Sequence, residues 1–233
     1  SKANESSNVT VVATLKKGAI TTKSKDFIKG QSLSIVRTTG VSNVAGLTTS
    51  KVYGTRIEDE EISLNVPDVV NVRAVYESTN TSAPVLDKLT FATGLALDQN
   101  AIVGEKIVGE DSRAVAQVVS RTSNTISFVP LNQNSFQKEE TVMFKESSLN
   151  LLVQDVTKGS YVDRTANYRL DKGHNHQFCD YSRIVRRAGS AVPSKQLYIV
   201  FDKFEVANNN AGDIFTVNSY SADRYTNDIP ELP

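Results

Sequence analysis

The sequence predicts an all-β protein: a discontinuous β-sandwich with an inserted small β-barrel-like module. Three observations predict it. Short segments alternate apolar and polar residues with period two, β-branched and aromatic residues fill them, and Gly, Asn, Ser and Pro bound them. Helical spacing is sustained over three turns nowhere. Only a short helical piece is expected, around Ser24 to Ile28 or Pro84 to Leu89.

In chain order, "VTVVATLK" places Val9, Val11, Ala13 and Leu15 on one face of a strand, with Thr10, Val12, Thr14 and Lys16 on the other. "VVNVRAVYES" sets Val70, Val72, Ala74 and Tyr76 opposite Asn71 and Arg73. The middle carries an internal repeat. Gly104 to Ser120 aligns without gaps to Glu139 to Asp155, so that Glu105 falls on Glu140, Ile107 on Val142, Ser112 on Ser147, Ala116 on Leu151 and Val118 on Val153. Each copy reads strand, polar turn, strand, and "NTISFVPL" supplies another strand between them. Two such hairpins and a bridge can curl into a small barrel, each covering the other's apolar face. In "KQLYIVFDKFEV", Leu197, Ile199 and Phe201 face one way and Tyr198 and Val200 the other, so both faces are expected to be covered. The parts before and after the repeat offer four or five strands each, too few for separate sandwiches. Residues 1–91 and 160–233 are therefore read as the two parts of one sandwich, and 92–159 as the inserted module.

The 233 residues suffice for a sizeable core. Lys and Arg total 26, as do Asp and Glu, so no whole-molecule field draws a polyanion, which argues against a dedicated nucleic-acid binder, and no nucleic-acid partner is expected. A single Cys cannot close an intrachain disulfide. No apolar run reaches membrane-spanning length, so no membrane insertion is expected, and the start lacks the layout of a secretory signal. The missing initiator Met points to a segment of a longer protein.

Both histidines and the cysteine lie in "LDKGHNHQFCDYSRIVRRAG". On a strand, His174 and His176 would share a face, and a trimer axis could gather six imidazoles on one ion. Against this, Asp171, Gly173 and Asn175 read as a polar turn. His174-Asn175-His176 also spells the initials of a nuclease motif, but no further His and no following helix complete one. Cys179 and His176 would project to opposite faces of a strand, which makes Cys179 a small buried hydrophobe and no nucleophile. The acidic run Glu58, Asp59, Glu60 and Glu61 lacks the spacing of a calcium loop. Arg183, Arg186 and Arg187 with Lys195 are split between faces by alternation, and ion pairing with the acidic run is expected. No phosphate loop, nucleophile elbow or Cys-x-x-Cys pair occurs. No catalytic residue, metal ligand or cofactor is expected.

Several ordered segments carry a resemblance. "YGTRIEDEEISLNVPDVVNVRAVYEST" and "SAPVLDKLTF" are followed by "ANYRLDKGHNHQFCDYSRIVRRAGSAVPSKQLYIVFDKFEV" and "GDIFTVNSYSADRYTNDIP". Together, from Val52 to Pro230, they resemble large virion structural proteins of contractile-tailed phages, especially those of marine cyanobacteria. The insertion resembles modules found inside such proteins. The resemblance implies a non-enzymatic tail, baseplate or fibre-associated component, located in the virion. It would contact other virion proteins, as a symmetric homo-oligomer within the particle. His174 and Asn175 stand where the family pattern has glutamine and arginine, a poor place for a required metal ligand. Tyr181, Ile184 and the turn Gly212 to Phe215 are expected to fix the fold. The polar, Tyr-rich segment Asn218 to Pro230 is the expected contact surface, with Tyr220, Arg224 and Tyr225 as interaction residues of the types enriched at hot spots. Two alternatives stay open. One is a receptor- or host-glycan-binding module of a tail fibre, using loops such as "VANNNAGD". The other is a virion-borne glycan hydrolase using carboxylates among Asp163, Asp171 and Asp180, although their spacing singles out no pair.

Overall fold

The computed structural model describes residues 10–14, 16–35, 56–173, 181–207 and 212–220. Strands dominate, all paired antiparallel, and the protein is all-β. The first part supplies β1 (Lys25–Ile35), β2 (Glu61–Ser63) and β3 (Val69–Ser78). The middle runs β4 (Asp87–Thr90), the single turn α1 (Leu97–Asn100), β5 (Lys106–Gly109), β6 (Val115–Arg121), β7 (Thr125–Pro130), β8 (Thr141–Phe144), β9 (Asn150–Leu152) and β10 (Asp155–Thr157). The last part adds β11 (Tyr161–Asp163), β12 (Tyr168–Asp171), β13 (Arg183–Arg186) and β14 (Leu197–Val206).

Sheet order follows from which faces must be buried. The four-stranded sheet β1-β14-β3-β11 stacks on the three-stranded sheet β12-β13-β2. Leu197, Ile199 and Phe201 of β14 meet Ile62, Tyr168 and Ile184 of the smaller sheet in one core. On the other face of β14, Tyr198 and Val200 join Ala74 and Tyr76 against Val119 and Val129 of the middle part. The two faces of β14 are covered in the alternation its sequence predicts. The four-stranded sheet is thus the central layer of three.

The pattern of β3 is different from its sequence reading. Val72 packs toward the sandwich core, with Val69 and Val75, while Ala74 and Tyr76 face the middle part. The expected common face of Val72 and Ala74 is broken by a register shift on β3 between them, and a second shift lies between Val69 and Asn71. Each bulge adds one residue and flips the side-chain parity. Two further expectations are corrected. Ser24 to Ile28 and Pro84 to Leu89 are not helical: they lead into β1 and β4, whose pairing with β14 and β7 supplies backbone partners that a one-turn helix lacks. Thr10 to Thr14 form no strand, and Val11 and Val12 are 77% and 95% exposed, since among the described residues no strand pairs with them.

The middle part forms a seven-stranded sheet, β10-β4-β7-β6-β5-β8-β9, around its own core of Phe91, Leu97, Ile107, Ile126, Val142 and Phe144 among others. β9 and β10 are halves of one bent segment, the first pairing with β8 and the second with β4, so the two sheet edges curl toward each other. The sheet starts at Asp87, ahead of the boundary expected at residue 92. Its neck is closed by an antiparallel bridge between Val85 and Ser160.

A buried polar joint ties this part to the central sheet. Asp202, fully buried on β14, accepts from the Gly30 N–H at 2.9 Å, from Arg73 Nε, and from Gln117 Nε2 of β6 at 3.0 Å. Arg73 leaves no net charge on the carboxylate unpaired, which burial at that depth requires. Beside it the backbones of Gly30 and Gly104 touch. A Cβ on Gly104 would fall 2.5 Å from Lys29 Cβ, and both glycines have positive φ.

Candidate interaction surface

The end of the central sheet where β1 starts is built by two segments far apart in sequence. Thr21 to Lys23 run beside Gly212 to Ile214: Lys23 N–H donates to the Ile214 carbonyl at 2.7 Å, and Asp213 N–H to the Thr21 carbonyl at 2.8 Å. The approach is close enough that a Cβ on Gly212 would lie 2.4 Å from the Thr22 carbonyl oxygen, so glycine is required there. The Asp213 carboxylate accepts from Lys17 Nζ and from Thr21 N–H, and Lys17 foremost holds its pKa below the usual aspartate value. The "GDIF" turn therefore clamps the two segments together.

Lys25 is the centre of the next layer. Its side chain is 9% exposed, and its ammonium lies 2.6 Å from Asp68 and over the rings of Phe215 (4.9 Å) and Tyr220 (5.3 Å). Burial pulls the ammonium down, but Asp68 and Tyr220 outweigh it and hold the Lys25 pKa above its ordinary value. Tyr220 meets Phe204 edge-on at 4.8 Å, and Phe204 in turn packs on Phe27 at 4.9 Å. Of the three residues expected to make contacts, Tyr220 is half-buried on its own sheet, and Arg224 and Tyr225 lie outside the described residues. The apolar surface at this end comes from Ile20 and Val206, which the sequence reading did not single out, and from Ile214 and Phe215, which it took as part of a fold-fixing turn; each is about half exposed. Their pattern matches that of buried strand residues, so no signal in the sequence separates them.

The other candidates are spoken for. Arg183 pairs with Asp171 at 2.9 Å and Glu61 at 3.2 Å, and Arg186 donates to the Glu58 and Asp59 carbonyls at 3.2 Å. Arg183 is thus ion-paired with Glu61 of the acidic run and Arg186 meets its backbone carbonyls, whereas Arg187 and Lys195 make no ion pair among the described residues. Asp163 accepts from Thr165 N–H, while Asp171 is buried against Arg183, so these two carboxylates serve separate structural contacts. His174, His176, Cys179 and Asp180 lie outside the described residues. Among the described residues no three His, Cys, Asp or Glu gather as metal ligands, and no helix is long and apolar enough to cross a membrane.

No protein-family model, curated protein or solved structure matches this chain.

Proposed function

We propose that the chain is a non-enzymatic structural module of a contractile-tailed phage virion, a tail, baseplate or fibre-associated component that holds neighbouring virion proteins. The observation that carries this reading is the surface at the start of β1. Ile20, Val206, Ile214 and Phe215 stay exposed although the backbone beside them is clamped at Asp213 and Gly212. Apolar groups held rigidly in water are preorganised for burial against a partner. The resemblance of Val52 to Pro230 to virion proteins supplies the kind of partner, and symmetry multiplies contacts that are individually weak. The buried carboxylate of Asp202 joins the central sheet to the middle part, as a load-transmitting module requires.

The reading is tested by particle assembly with the Ile214→Ser, Phe215→Ser double variant. Defective particles with an unchanged isolated domain support it; normal particles count against it. The half-exposed rings of Phe215 and Tyr181 favour the second reading, a host-glycan or receptor module. Glycan-array binding by the isolated chain with normal assembly of the variant would select that one.

A further inference from the structure

β11 pairs with the outer edge of β3 only over Tyr76–Ser78. The chain then turns away through Thr165–Asn167 and enters the smaller sheet as β12. Side chains take over at the ends of the vacated edge: Val75 N–H donates to Thr165 Oγ1 at 3.0 Å, and Val69 N–H to Ser182 Oγ at 3.2 Å. Between them, among the described residues, no strand pairs with that edge of Val70 to Val72. The two bulges of β3 bracket the same run. Bulges are over-represented at sheet edges and beside functional sites, where they re-aim a side chain or end pairing.

A cleft of about 270 Å³ opens at this place, with an aliphatic floor of Val70, Val72, Leu170 and Ile184. Asn71, Arg169 and Arg187 form its polar side. Tyr168 also lines it, buried beside Arg186, with a hydroxyl that makes no hydrogen bond of normal geometry among the described residues. Arg169 lies opposite Val185, and Arg187 N–H bonds the Asn167 carbonyl, so the two arginines are diagonal neighbours across one strand pair. Such neighbours stand roughly 7–8 Å apart, within reach of one carboxylate. Both are exposed, and neither makes an ion pair among the described residues, whereas Arg73, Arg164 and Arg183 each hold a carboxylate.

We propose that this cleft seats a short, extended, acidic segment of another polypeptide, which pairs with the open edge of β3 and sets a carboxylate between Arg169 and Arg187. Strand addition supplies affinity through the main chain, and the pocket supplies specificity. The arginine pair provides forked donors for the carboxylate, and the aliphatic floor takes an adjacent aliphatic side chain. An acidic saccharide fits less well, because Tyr168, the aromatic ring among the lining residues, is buried and offers little face to stack on, and the volume is below the ~300 Å³ at which sites for whole small ligands begin.

The test uses the full chain and a fluorescein-labelled pentapeptide alternating valine with glutamate, read by fluorescence anisotropy. The expected result is salt-sensitive binding that weakens roughly tenfold or more in the Arg169→Ala, Arg187→Ala double variant and with a glutamine-substituted peptide. Asn71→Asp, which places a negative charge in the cleft, should weaken it independently. Urea midpoints check that the variants remain folded. No anisotropy change with the acidic peptide, or equal binding by folded variants, overturns the proposal. So does binding of oligogalacturonate in place of the peptide, which would assign the cleft to saccharide.

Discussion

Glu105 accepts hydrogen bonds from the backbone N–H (3.0 Å) and the hydroxyl (2.9 Å) of Ser147, and its repeat mate Glu140 holds Ser112 in the same way, both at 3.0 Å. Each carboxylate also accepts at 2.6 Å from the N–H three residues before it, Ile102 for Glu105 and Gln137 for Glu140. Repeat-related positions share positive φ: Gly104 with Glu139, and Arg113 with Ser148. The pairing of β5 with β8 is centred on Val108 and Met143, themselves repeat mates, so a local two-fold axis passes between them. Each hairpin lends the other the acceptor that its turn needs. This reciprocity explains why the identities of the repeat are kept at Glu and Ser, not only at apolar positions.

Replacing Glu140 by Ala should destabilise the protein by about 1–3 kcal/mol, the range for leaving buried donors without their acceptor. Urea unfolding measures it. A double-mutant cycle with Ser112→Ala should show coupling of at least about 0.5 kcal/mol, since the two side chains are in contact. Strict additivity would mean that the carboxylate acts elsewhere.

The inserted part should fold alone when cut at its neck. Its core draws on Leu89 to Val156 and on no residue of the sandwich, and the Val85–Ser160 bridge brings the cut ends together. Residues 86–159 are expected to give a β-type circular dichroism spectrum and one cooperative thermal transition. A non-cooperative or aggregated product would show that contact with Ala74 and Tyr76 is needed for folding.

These features were legible in the sequence to different degrees. β14 could be read because its central position buries both faces, and uninterrupted alternation of Leu197 to Phe201 survives in the structure. β3 could not, because a bulge adds a residue without changing composition, so nothing marks Val72 and Ala74 as belonging to different cores. Gly30 was a visible hint, since an isolated glycine within a strand signals a bulge or a close approach, and here it marks both. Of the expected contact segment Asn218 to Pro230, only Asn218 to Tyr220 lie among the described residues. Tyr220 lies there, but burial on Phe204 depends on a tertiary contact that local sequence does not encode. Val11 and Val12 make the converse point, because alternation describes a strand's faces and not whether a partner strand exists.

Acid should weaken the sandwich through Glu77. Burial pushes this carboxyl up, but the N–H groups of Ser194 and Lys195 (2.6 and 3.0 Å) and Arg164 (2.8 Å) outweigh it and hold its pKa below the usual glutamate value. A depressed folded-state pKa contributes stability that is complete above the unfolded value and is lost as pH falls through the folded one. Glu77→Gln should therefore be less stable than the parent at neutral pH, and the gap should shrink below about pH 4. Urea midpoints at neutral and acid pH measure it. A gap that stays constant across that range would show that the charge of Glu77 is not what matters.

The proposed contact surface makes the final prediction, which sets two neighbouring kinds of residue against each other. Tyr220 contributes internal packing through its edge-on contact with Phe204 and its place beside Lys25. Tyr220→Ala should thus lower the melting temperature of the isolated domain, by the equivalent of about 0.5–1.5 kcal/mol for the ring pair alone. Ile214 and Phe215 instead turn about half of their surface to water, and the backbone clamp of this segment, Lys23 N–H to the Ile214 carbonyl and Thr21 N–H to the Asp213 carboxylate, does not use their side chains. The Ile214→Ser, Phe215→Ser pair should move the melting temperature little, since Phe215 gives up only a part-exposed contact with Lys23 and Lys25. Its effect should fall on assembly. Differential scanning calorimetry of the isolated chain, run beside particle assembly with the same variants, separates the two roles. A large thermal loss in the Ile214, Phe215 pair would make these side chains part of the fold and remove the surface they were assigned to.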